Sequence, residues 1–471
     1  MNGVAVTLRL VPAPLRKLRT LWTQSRPVDP DTAAALSARW TELPSSLHTP
    51  AQLLGRHSPG CEGTHGVFPR CNLTCTPCYH ARDANFVRTD ADHTEATVDA
   101  QMALLRQRRG TGQHAQLIGG EVTLLGPEGH ARALAAMERH GRKPMSMTHG
   151  DFDYDYLERL ATRPDGRRRF RMLRFAGHFD SLMLGREGVP RPRCEADLDP
   201  ARRAFVANFR RLRREHGVRF DLAHNMTVTP RNLSQVGAVA VNAMRMGYGM
   251  ASFQPAARVG NPKRWREDYR EVTIDAVWVQ LELAVGVRLP WAHLQMGDPR
   301  CNRTAYGITA AGGWVPLLDD KDPRDLRVRD LFLDTAGGID VAKPPLVLAL
   351  MFSRIVARRP AVVPVALGWA WRLCRRIGLR RVLFGRPRGM TFVVHAFMDA
   401  AVVRPAWEAM ERGEVAEEPE VRAAQERLQA CSYAMAHPQT GRLVPACVQH
   451  AVLDPDENLE LRELLPLTEA P

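Results

Sequence analysis

The sequence predicts an α/β protein, a partial (β/α)6 TIM-like barrel followed by a C-terminal α+β auxiliary region. Between residues 61 and 275, six short β-prone runs alternate with longer segments of helical spacing. Each run ends in small or polar residues, and the alternation stops after residue 275. A length of 471 residues allows one large domain of roughly 200–250 residues with smaller regions attached.

The alternation defines the order of the elements. The predicted strands span residues 64–70, 115–121, 144–151, 171–180, 219–228 and 247–256. The clearest predicted helices between them span residues 96–109, 128–141, 199–217 and 232–247. Because right-handed crossovers make such strands parallel, their carboxyl ends share one edge of the sheet, and we expect the reactive residues there.

The remaining chain divides by composition. Residues 1–60 are rich in Pro, Ser and Arg and form an N-terminal extension, with one helix expected over 29–43. Residues 61–275 form the barrel core, and residues 276–340 form a strand-rich connector around Cys301 with a hairpin turn at Gly312-Gly313. Residues 341–390 form basic amphipathic helices, and residues 391–471 form the auxiliary region.

Composition disfavours several classes of protein. With 45% hydrophobic and 25% charged residues, the chain is not a disordered one. Nine cysteines in 471 residues are too few for a disulfide framework, and an odd number cannot all be paired. We therefore expect reduced thiols. The first residues lack the apolar core of a signal peptide, and no run reaches the roughly 18 apolar residues of a spanning helix. We therefore expect a cytoplasmic protein.

Three cysteines near residue 70 predict a metal centre. Cys71, Cys75 and Cys78 lie in one short loop, and the next cysteine follows more than a hundred residues later. Three thiolates on a cubane iron–sulfur cluster leave one iron open to a substrate or cofactor. The alternative is a zinc site completed by a remote Cys or His.

This loop resembles the signature of the radical S-adenosylmethionine superfamily, and Gly119-Gly120-Glu121 resembles the GGE motif of that family. The resemblance implies that the three cysteines hold a [4Fe–4S] cluster whose unique iron is chelated by S-adenosylmethionine. It also implies that the glycines leave room for the methionine part and that Glu121 accepts a hydrogen bond from its ammonium group. Reductive cleavage would give a 5′-deoxyadenosyl radical that abstracts a hydrogen atom, with the electron coming from a reductase or a flavodoxin- or ferredoxin-type donor.

The other contacts of the cofactor are assigned to aromatic residues near the cysteines and to polar residues at strand ends. The residue before the third cysteine is often aromatic in this family, but here it is Pro77, so we expect Tyr79 or Phe68 to contact the adenine. The remaining cofactor contacts are assigned to Asp180 or Ser181 for the ribose and to Asn225 and Gln254 for other polar groups. The alternative is that these polar residues only cap strands or form turns.

Five histidines, at positions 65, 80, 149, 178 and 224, are expected near this edge. We assign catalytic roles to His149 and His178, because they end adjacent predicted strands. The alternative for each is a structural hydrogen bond.

The last 80 residues resemble the C-terminal part of tetraether lipid synthases and of the related radical methyltransferases that act without cobalamin. The resemblance lies in His-Ala-Phe-Met-Asp at 395–399 and in the segment from Cys431 to Cys447. It implies a second iron–sulfur cluster on Cys301, Cys431 and Cys447, with His395, Asp399 or Cys61 as a fourth ligand or with an open site. The alternative is that these cysteines are small buried apolar residues.

The basic stretch 341–390 contributes much of the net charge of +14, which suggests an anionic partner. Its arginines alternate with Leu, Val, Phe and Trp, as in helices at a membrane interface, where Trp369 and Trp371 would lie at the headgroups. Nucleic acid and ordinary core-covering helices are the alternatives.

Together these features predict a radical enzyme that forms a C–C bond or adds a methyl group on an apolar, lipid-like substrate, attached peripherally to the inner membrane face. A peptide or RNA substrate is one alternative. A non-catalytic metal protein that docks on membranes is the other.

Overall fold

A computed structural model describes residues 22–23, 25–79, 82–259, 269–340 and 343–467. Its strands are β1 Cys61–Gly63, β2 Thr74–Cys75, β3 His114–Leu117, β4 Lys143–Thr148, β5 Met172–His178, β6 Met183–Leu184, β7 Arg219–Val228, β8 Met250–Pro255, β9 Asn302–Ala310, β10 Gly313–Pro316, β11 Arg388–His395, β12 Tyr433–His437 and β13 Arg442–Pro445.

Its helices are α1 Pro30–Glu42, α2 Ala91–Arg109, α3 Gly126–Arg139, α4 Tyr154–Ala161, α5 Asp199–His216, α6 Val236–Met246, α7 Ile274–Val285, α8 Pro323–Ala336, α9 Pro345–Arg358, α10 Val362–Ile377, α11 Leu379–Phe384, α12 Ala400–Glu411, α13 Pro419–Gln429, α14 Ala446–Val448 and α15 Asp454–Leu464. A π-helical turn at Gln449–Leu453 joins α14 to α15.

One sheet of eleven strands organises the molecule, in the order β10-β9-β11-β8-β7-β5-β4-β3-β1-β12-β13. The eight strands from β11 to β12 in this order run parallel, and antiparallel strands lie outside both ends. The sheet is curled into a half-barrel. The predicted α/β fold with a partial barrel is therefore confirmed.

Five of the six predicted strands appear in order as β3, β4, β5, β7 and β8, and the first strand of the barrel is β1. Each of the six is followed by a helix. The first is shorter and earlier than expected, because β1 ends at Gly63 instead of running over 64–70. Gly66 has φ +62, a left-handed conformation that an extended strand does not contain. Residues 64–70 therefore form a loop that leads to the cysteines.

The strands of the C-terminal part belong to the same sheet as the barrel strands. β11 pairs in parallel with β8, and β12 pairs in parallel with β1. β9 and β10 form the expected hairpin, whose two turn residues are Ala311 and Gly312, both with positive φ. Positive φ at both turn residues is the geometry of a type I′ turn, which matches the twist of the strands.

Helices and strands share a core of buried apolar side chains. Val98, Met102 and Leu105 of α2 lie on one helical face and are fully buried. Phe175 of β5 packs on Phe209 of α5 with ring centroids 5.0 Å apart. A second cluster joins α12 and α13, through Val403 and Val421, to the segment around Val448.

Candidate active site

The cysteine loop is held by the end of the neighbouring strand β3. The amide of Gly120 donates to the carbonyl of Phe68 at 2.7 Å, and the amide of Glu121 donates to the carbonyl of Arg70 at 2.9 Å. A Cβ atom on Gly120 would lie 2.1 Å from the Arg70 oxygen, and one on Gly119 would lie 2.5 Å from the Phe68 ring. The two glycines therefore allow the segment before Cys71 to approach the strand end.

The three cysteines of the loop have restricted environments. The side-chain oxygen Oδ1 of Asn85 accepts a hydrogen bond from the backbone N–H of Cys71 at 3.3 Å. The backbone N–H of Leu73 donates to the Cys71 sulfur at 3.4 Å. Cys75 lies in β2, which pairs with β6. Burial raises the pKa of Cys71 to about 12. A metal bound at this thiol must therefore displace a proton.

His149 connects the end of β4 to this loop. Its Nδ1 accepts from the amide of Asp151 at 3.0 Å, and its Nε2 lies 2.9 Å from Oδ1 of Asn72, the residue after Cys71. These contacts assign the ring proton to Nε2. Burial lowers the pKa of His149, so the ring stays neutral.

The carboxylate of Glu121 is buried and carries several hydrogen bonds. Oε1 accepts from the amide and hydroxyl of Thr123 and from the hydroxyl of Thr148, at 2.7–3.0 Å. Oε2 accepts from the amide of His149 at 2.8 Å. Glu121 thereby joins the ends of β3 and β4, and Oε2 has the smaller number of donors.

His178 and Asp180 form a pair at the end of β5. Nε2 of His178 lies 2.7 Å from Oδ2 of Asp180, which also accepts from the amide of Thr227. Burial acts against ionisation, but His178 and the amide donors hold the pKa of Asp180 below its usual range. The Ser181 amide donates to Glu195 at 2.8 Å.

The four residues predicted to contact the adenine or other polar groups of the cofactor lie on two strands and beside the cysteine loop. Asn225 and Gln254 occupy the carboxyl ends of the adjacent strands β7 and β8. Tyr79 is half-buried beside Cys78 and stacks on His450, and its buried hydroxyl lacks a hydrogen-bond partner in the described part of the chain. Phe68 is fully buried against Gly119, so Tyr79 is the better placed of the two aromatic residues.

Of the other three histidines that were expected near this edge, two lie among the described residues, and each has hydrogen-bond partners of its own. His224 is buried and accepts from Nε of Arg202 at 3.0 Å, within a network that includes Glu195. His65 contacts Glu457 of α15. His80 lies outside the described residues.

Three distant cysteines meet in one small cavity. Cys301, Cys431 and Cys447 line it together with His395. Burial raises the pKa of Cys301 to about 11 and raises that of Cys447 as well. Nε of Arg427 donates to the Cys301 sulfur at 3.1 Å.

The proposed fourth ligands lie at different places around this cavity. His395 is part of its wall, and burial, with a smaller contribution from the nearby Cys431 thiol, raises the pKa of Cys61. Asp399 accepts instead from the amide of Arg258 at 2.6 Å and lines a separate cleft.

That cleft lies beside the cysteine cavity, at the ends of β8 and β11. It shares Ala396, Phe397, Met398 and Arg427 with the cavity. Its other charged residues include Arg300, Arg303, Asp275 and Asp399. The cleft is therefore open to a substrate that reaches both the cysteine cavity and the barrel edge.

Sequence reasoning missed Asn72, Arg186 and Arg427. Arg186 is buried, donates to the carbonyl of His149 at 2.7 Å and lies 4.7 Å above the Phe179 ring. Asn72 had a signal, because it lies between two of the cysteines. Arg186 and Arg427 lie in a polar loop and on a polar helix, where arginine ordinarily faces solvent.

No protein-family model matches the chain, and neither does any curated protein. Solved structures that match it include Streptococcus suis SuiB, at 13% identity and TM-score 0.33, covering 49% of this chain and 47% of that one. SuiB bound to S-adenosylmethionine matches at 14% identity and TM-score 0.31, covering 46% of each chain. Native anSMEcpe with bound AdoMet and Cp18Cys peptide matches at 12% identity and TM-score 0.30, covering 48% of this chain and 58% of that one. The chain thus spans about half the length of the structures that it matches.

Proposed function

We propose that this chain is a radical S-adenosylmethionine enzyme whose catalytic cluster is bound by Cys71, Cys75 and Cys78. The contact between Gly119-Gly120-Glu121 and residues 68–70 supports the proposal most strongly. A structural metal site has no need of a second motif from the next strand. Here that motif packs directly on the segment that leads to the first cysteine.

The residues present fit the two implied groups. Three half-buried cysteines from one loop are a donor set for an iron–sulfur cluster with one open iron. Oε2 of Glu121 accepts one short hydrogen bond, from the His149 amide, and lies 3.3 Å from Nε2 of His149, a longer contact that an ammonium donor would replace. The Tyr79 hydroxyl, which has no partner among the described residues, offers a contact for the nucleoside. Asp180, Asn225 and Gln254, on or just after β5, β7 and β8, offer others.

When bound, the cluster would pass one electron from a ferredoxin- or flavodoxin-type donor to S-adenosylmethionine, giving methionine and a 5′-deoxyadenosyl radical that becomes 5′-deoxyadenosine by taking a hydrogen atom. The protein orients the reactants and keeps water from the radical. His149 and Asn72 hold the cysteine loop, and the His178–Asp180 pair lies at the edge where a substrate proton would be moved.

Anaerobic reconstitution with iron and sulfide, followed by S-adenosylmethionine and a reductant, tests this function. We expect 5′-deoxyadenosine and methionine in equal amounts. Cys75→Ala should abolish both products while its circular dichroism spectrum stays that of the wild type. Lack of 5′-deoxyadenosine from reduced wild-type protein that carries the cluster would refute the enzymatic proposal.

We also propose an auxiliary cluster on Cys301, Cys431 and Cys447. The three thiols line one cavity together with His395. The resemblance of the last 80 residues to enzymes with auxiliary iron–sulfur centres is the reason for proposing a cluster and not a single zinc ion. If iron per chain were the same in Cys431→Ala/Cys447→Ala and in the wild type, the second cluster would be ruled out.

For the substrate, we favour an apolar or lipid-like molecule reached from a membrane surface, on which the enzyme forms a C–C bond or adds a methyl group. No helix in the described residues is long and apolar enough to cross a bilayer. However, α9, α10 and α11 carry exposed apolar side chains, including Leu383 and Phe384 at 74% and 81% exposure. Arginines at 358, 359, 375, 380 and 381 are exposed on the same helices.

This combination supports peripheral attachment to an anionic membrane. Trp371 is exposed, as a residue at the headgroups would be, whereas Trp369 donates to the carbonyl of Leu317 and is half-buried. A peptide or RNA substrate is the alternative, and the arginines of the cleft would suit its acidic groups.

A further inference from the structure

Two histidines and a glutamate meet at the barrel edge beside the proposed cofactor site. His65 follows β1 and His437 ends β12, and these strands are parallel neighbours. Glu457 of α15 faces both. One ligand atom from each of the three residues can be chosen so that all lie within 4.8 Å of one another, and the two imidazole rings stack at 4.1 Å.

The hydrogen bonds of His65 leave no ordinary neutral state for its ring. Nε2 lies 2.9 Å from the carbonyl oxygen of Ala436, which only accepts, so Nε2 carries a proton. Nδ1 lies 2.8 Å from Oε2 of Glu457, another acceptor. A positive charge, either a second proton or a metal ion, must therefore lie between Nδ1 and the carboxylate.

His437 points to the same position. Its Nε2 lies 2.7 Å from Oε1 of Gln449, whose Nε2 donates to Asp454 and Glu457 at 2.9 Å each. Those two acceptors fix the amide orientation, so Nε2 of His437 is the donor and its Nδ1 has a lone pair. This Nδ1 atom lies 3.7 Å from Oε1 of Glu457. His437 is only 9% exposed, so its contact with water is limited.

Two acceptors facing each other at a largely buried position repel, and a shared cation removes the repulsion. A single proton on Nδ1 of His65 forms a hydrogen bond with Oε2 of Glu457 but leaves Nδ1 of His437 facing Oε1. A metal ion satisfies both Nδ1 atoms and the carboxylate together.

We propose that His65, His437 and Glu457 bind a divalent transition metal of the zinc class. Two imidazoles and a carboxylate are borderline donors that suit such ions, and three protein ligands leave a coordination position open. Ala436 and Gln449 orient the rings through their Nε2 protons, as outer partners of metal-bound histidines do.

The site would fasten the C-terminal segment to the cysteine loop. Asp454, which accepts from Gln449, also lies 2.6 Å from Nδ1 of His450, and the His450 ring stacks on Tyr79 at 5.8 Å. A metal at the histidines therefore orders the wall that carries Tyr79. This inference is independent of the proposed radical chemistry.

The test uses the full chain with its iron–sulfur clusters reconstituted first. Zinc is then added, unbound metal is removed by desalting, and zinc and iron per chain are counted. We expect Glu457→Gln and His437→Gln to hold one zinc fewer than the wild type, with iron unchanged. The matched control is His216→Gln, in the other described His/Glu group, which is more exposed and in which Glu215 already binds Tyr154 and Arg211. It should retain as much zinc as the wild type.

Zinc-edge X-ray absorption of the wild type decides the case even if a variant fails to fold. The proposal predicts N and O ligands at about 2.0–2.1 Å, whereas zinc on cysteines gives sulfur at about 2.3 Å. Equal zinc in the wild type and both site variants, no retained zinc, or a sulfur shell overturns the metal site. Zinc content and the zinc-edge spectrum are measured without any turnover, so the metal site can be refuted whether or not 5′-deoxyadenosine is formed.

Discussion

His149 joins the cysteine loop to the sheet through a neutral ring. The Asp151 amide occupies Nδ1, and the proton on Nε2 is directed at Asn72. Because burial lowers the pKa of His149 and both nitrogens are used, we infer that it positions the loop and does not transfer a proton. Of the two histidines assigned to catalysis from the sequence, His178 is the more accessible.

We predict that His149→Ala and Asn72→Ala each increase the rate at which a chelator removes cluster iron by about 10–100-fold, as loss of outer partners of metal ligands does. The double variant should be no worse than His149→Ala alone, because His149→Ala already removes the only hydrogen bond between these two side chains that Asn72→Ala would remove. Iron release under anaerobic conditions measures the effect. Additive losses, or release at the wild-type rate, would contradict the positioning role.

Asp180 should make a pH-dependent contribution to stability. Its pKa is lowered in the folded state, so the contribution is fully present above the unfolded value of about 3.9 and decreases as the pH falls below it. We expect Asp180→Asn to lower the free energy of unfolding by about 1–3 kcal/mol at pH 7, because donors lose their charged acceptor. Urea unfolding at pH 7 and below pH 4 should show the difference shrinking in acid. A difference that grows in acid would be inconsistent with the lowered pKa.

At the scale of elements, the end of β3 and the loop before Cys71 form one unit. The glycines at 119 and 120 bring the loop backbone within hydrogen-bonding distance of the strand end. From the sequence, these glycines were expected to make room for the methionine part of the cofactor. The structure adds a packing role for them that no motif spacing reveals.

We predict that Gly120→Ala displaces residues 69–70 and lowers the free energy of unfolding by about 1–3 kcal/mol, the usual effect of overpacking. It should also reduce the iron retained after reconstitution. Gly389→Ala is the matched control, because its new Cβ meets no atom within 4 Å and its φ is not left-handed. Chemical unfolding and iron analysis of both variants check this, and equal effects would show that close packing at Gly120 does not matter.

Local periodicity predicted five of the six barrel strands, but it misplaced the first and did not show how the last part of the chain pairs. Alternating runs and intervening helices mark β3 to β8, because each crossover is short. β11 lies beside β8 although about 140 residues separate Thr391 from its partner Met250, and no local pattern encodes such a contact. The resemblance led us to expect that Cys301, Cys431 and Cys447 converge, but only the fold shows the contact of Arg427 with Cys301.

At the scale of the whole molecule, the sheet brings the cysteine loop at residues 71–78 close to the cavity lined by Cys301, Cys431 and Cys447. Parallel strands at both ends of the barrel sheet come from the C-terminal part, with β12 beside β1 and β11 beside β8. Tyr79, beside Cys78, contacts Phe397, which lines the cavity of the second group. The helices α9 to α11 lie in the connection between β10 and β11 and present the exposed apolar surface.

We predict that Leu383→Glu/Phe384→Glu reduces binding to anionic vesicles by about tenfold or more, since each buried apolar side chain contributes on the order of 1.5–3 kcal/mol. Leu283→Glu is the matched control, because Leu283 is 72% exposed on α7, outside the basic helices. Co-sedimentation with vesicles measures binding. Equal binding by the two variants would favour the core-covering interpretation of these helices.

The central claim is that the cluster on Cys71, Cys75 and Cys78 has an open iron that binds S-adenosylmethionine. The most direct measurement is the electron paramagnetic resonance spectrum of the reduced, reconstituted Cys431→Ala/Cys447→Ala variant, which isolates this cluster. We predict that adding S-adenosylmethionine changes the spectrum, and that the signal is lost altogether in a chain that also carries Cys75→Ala. A cluster signal that is unaltered by saturating S-adenosylmethionine would contradict the claim.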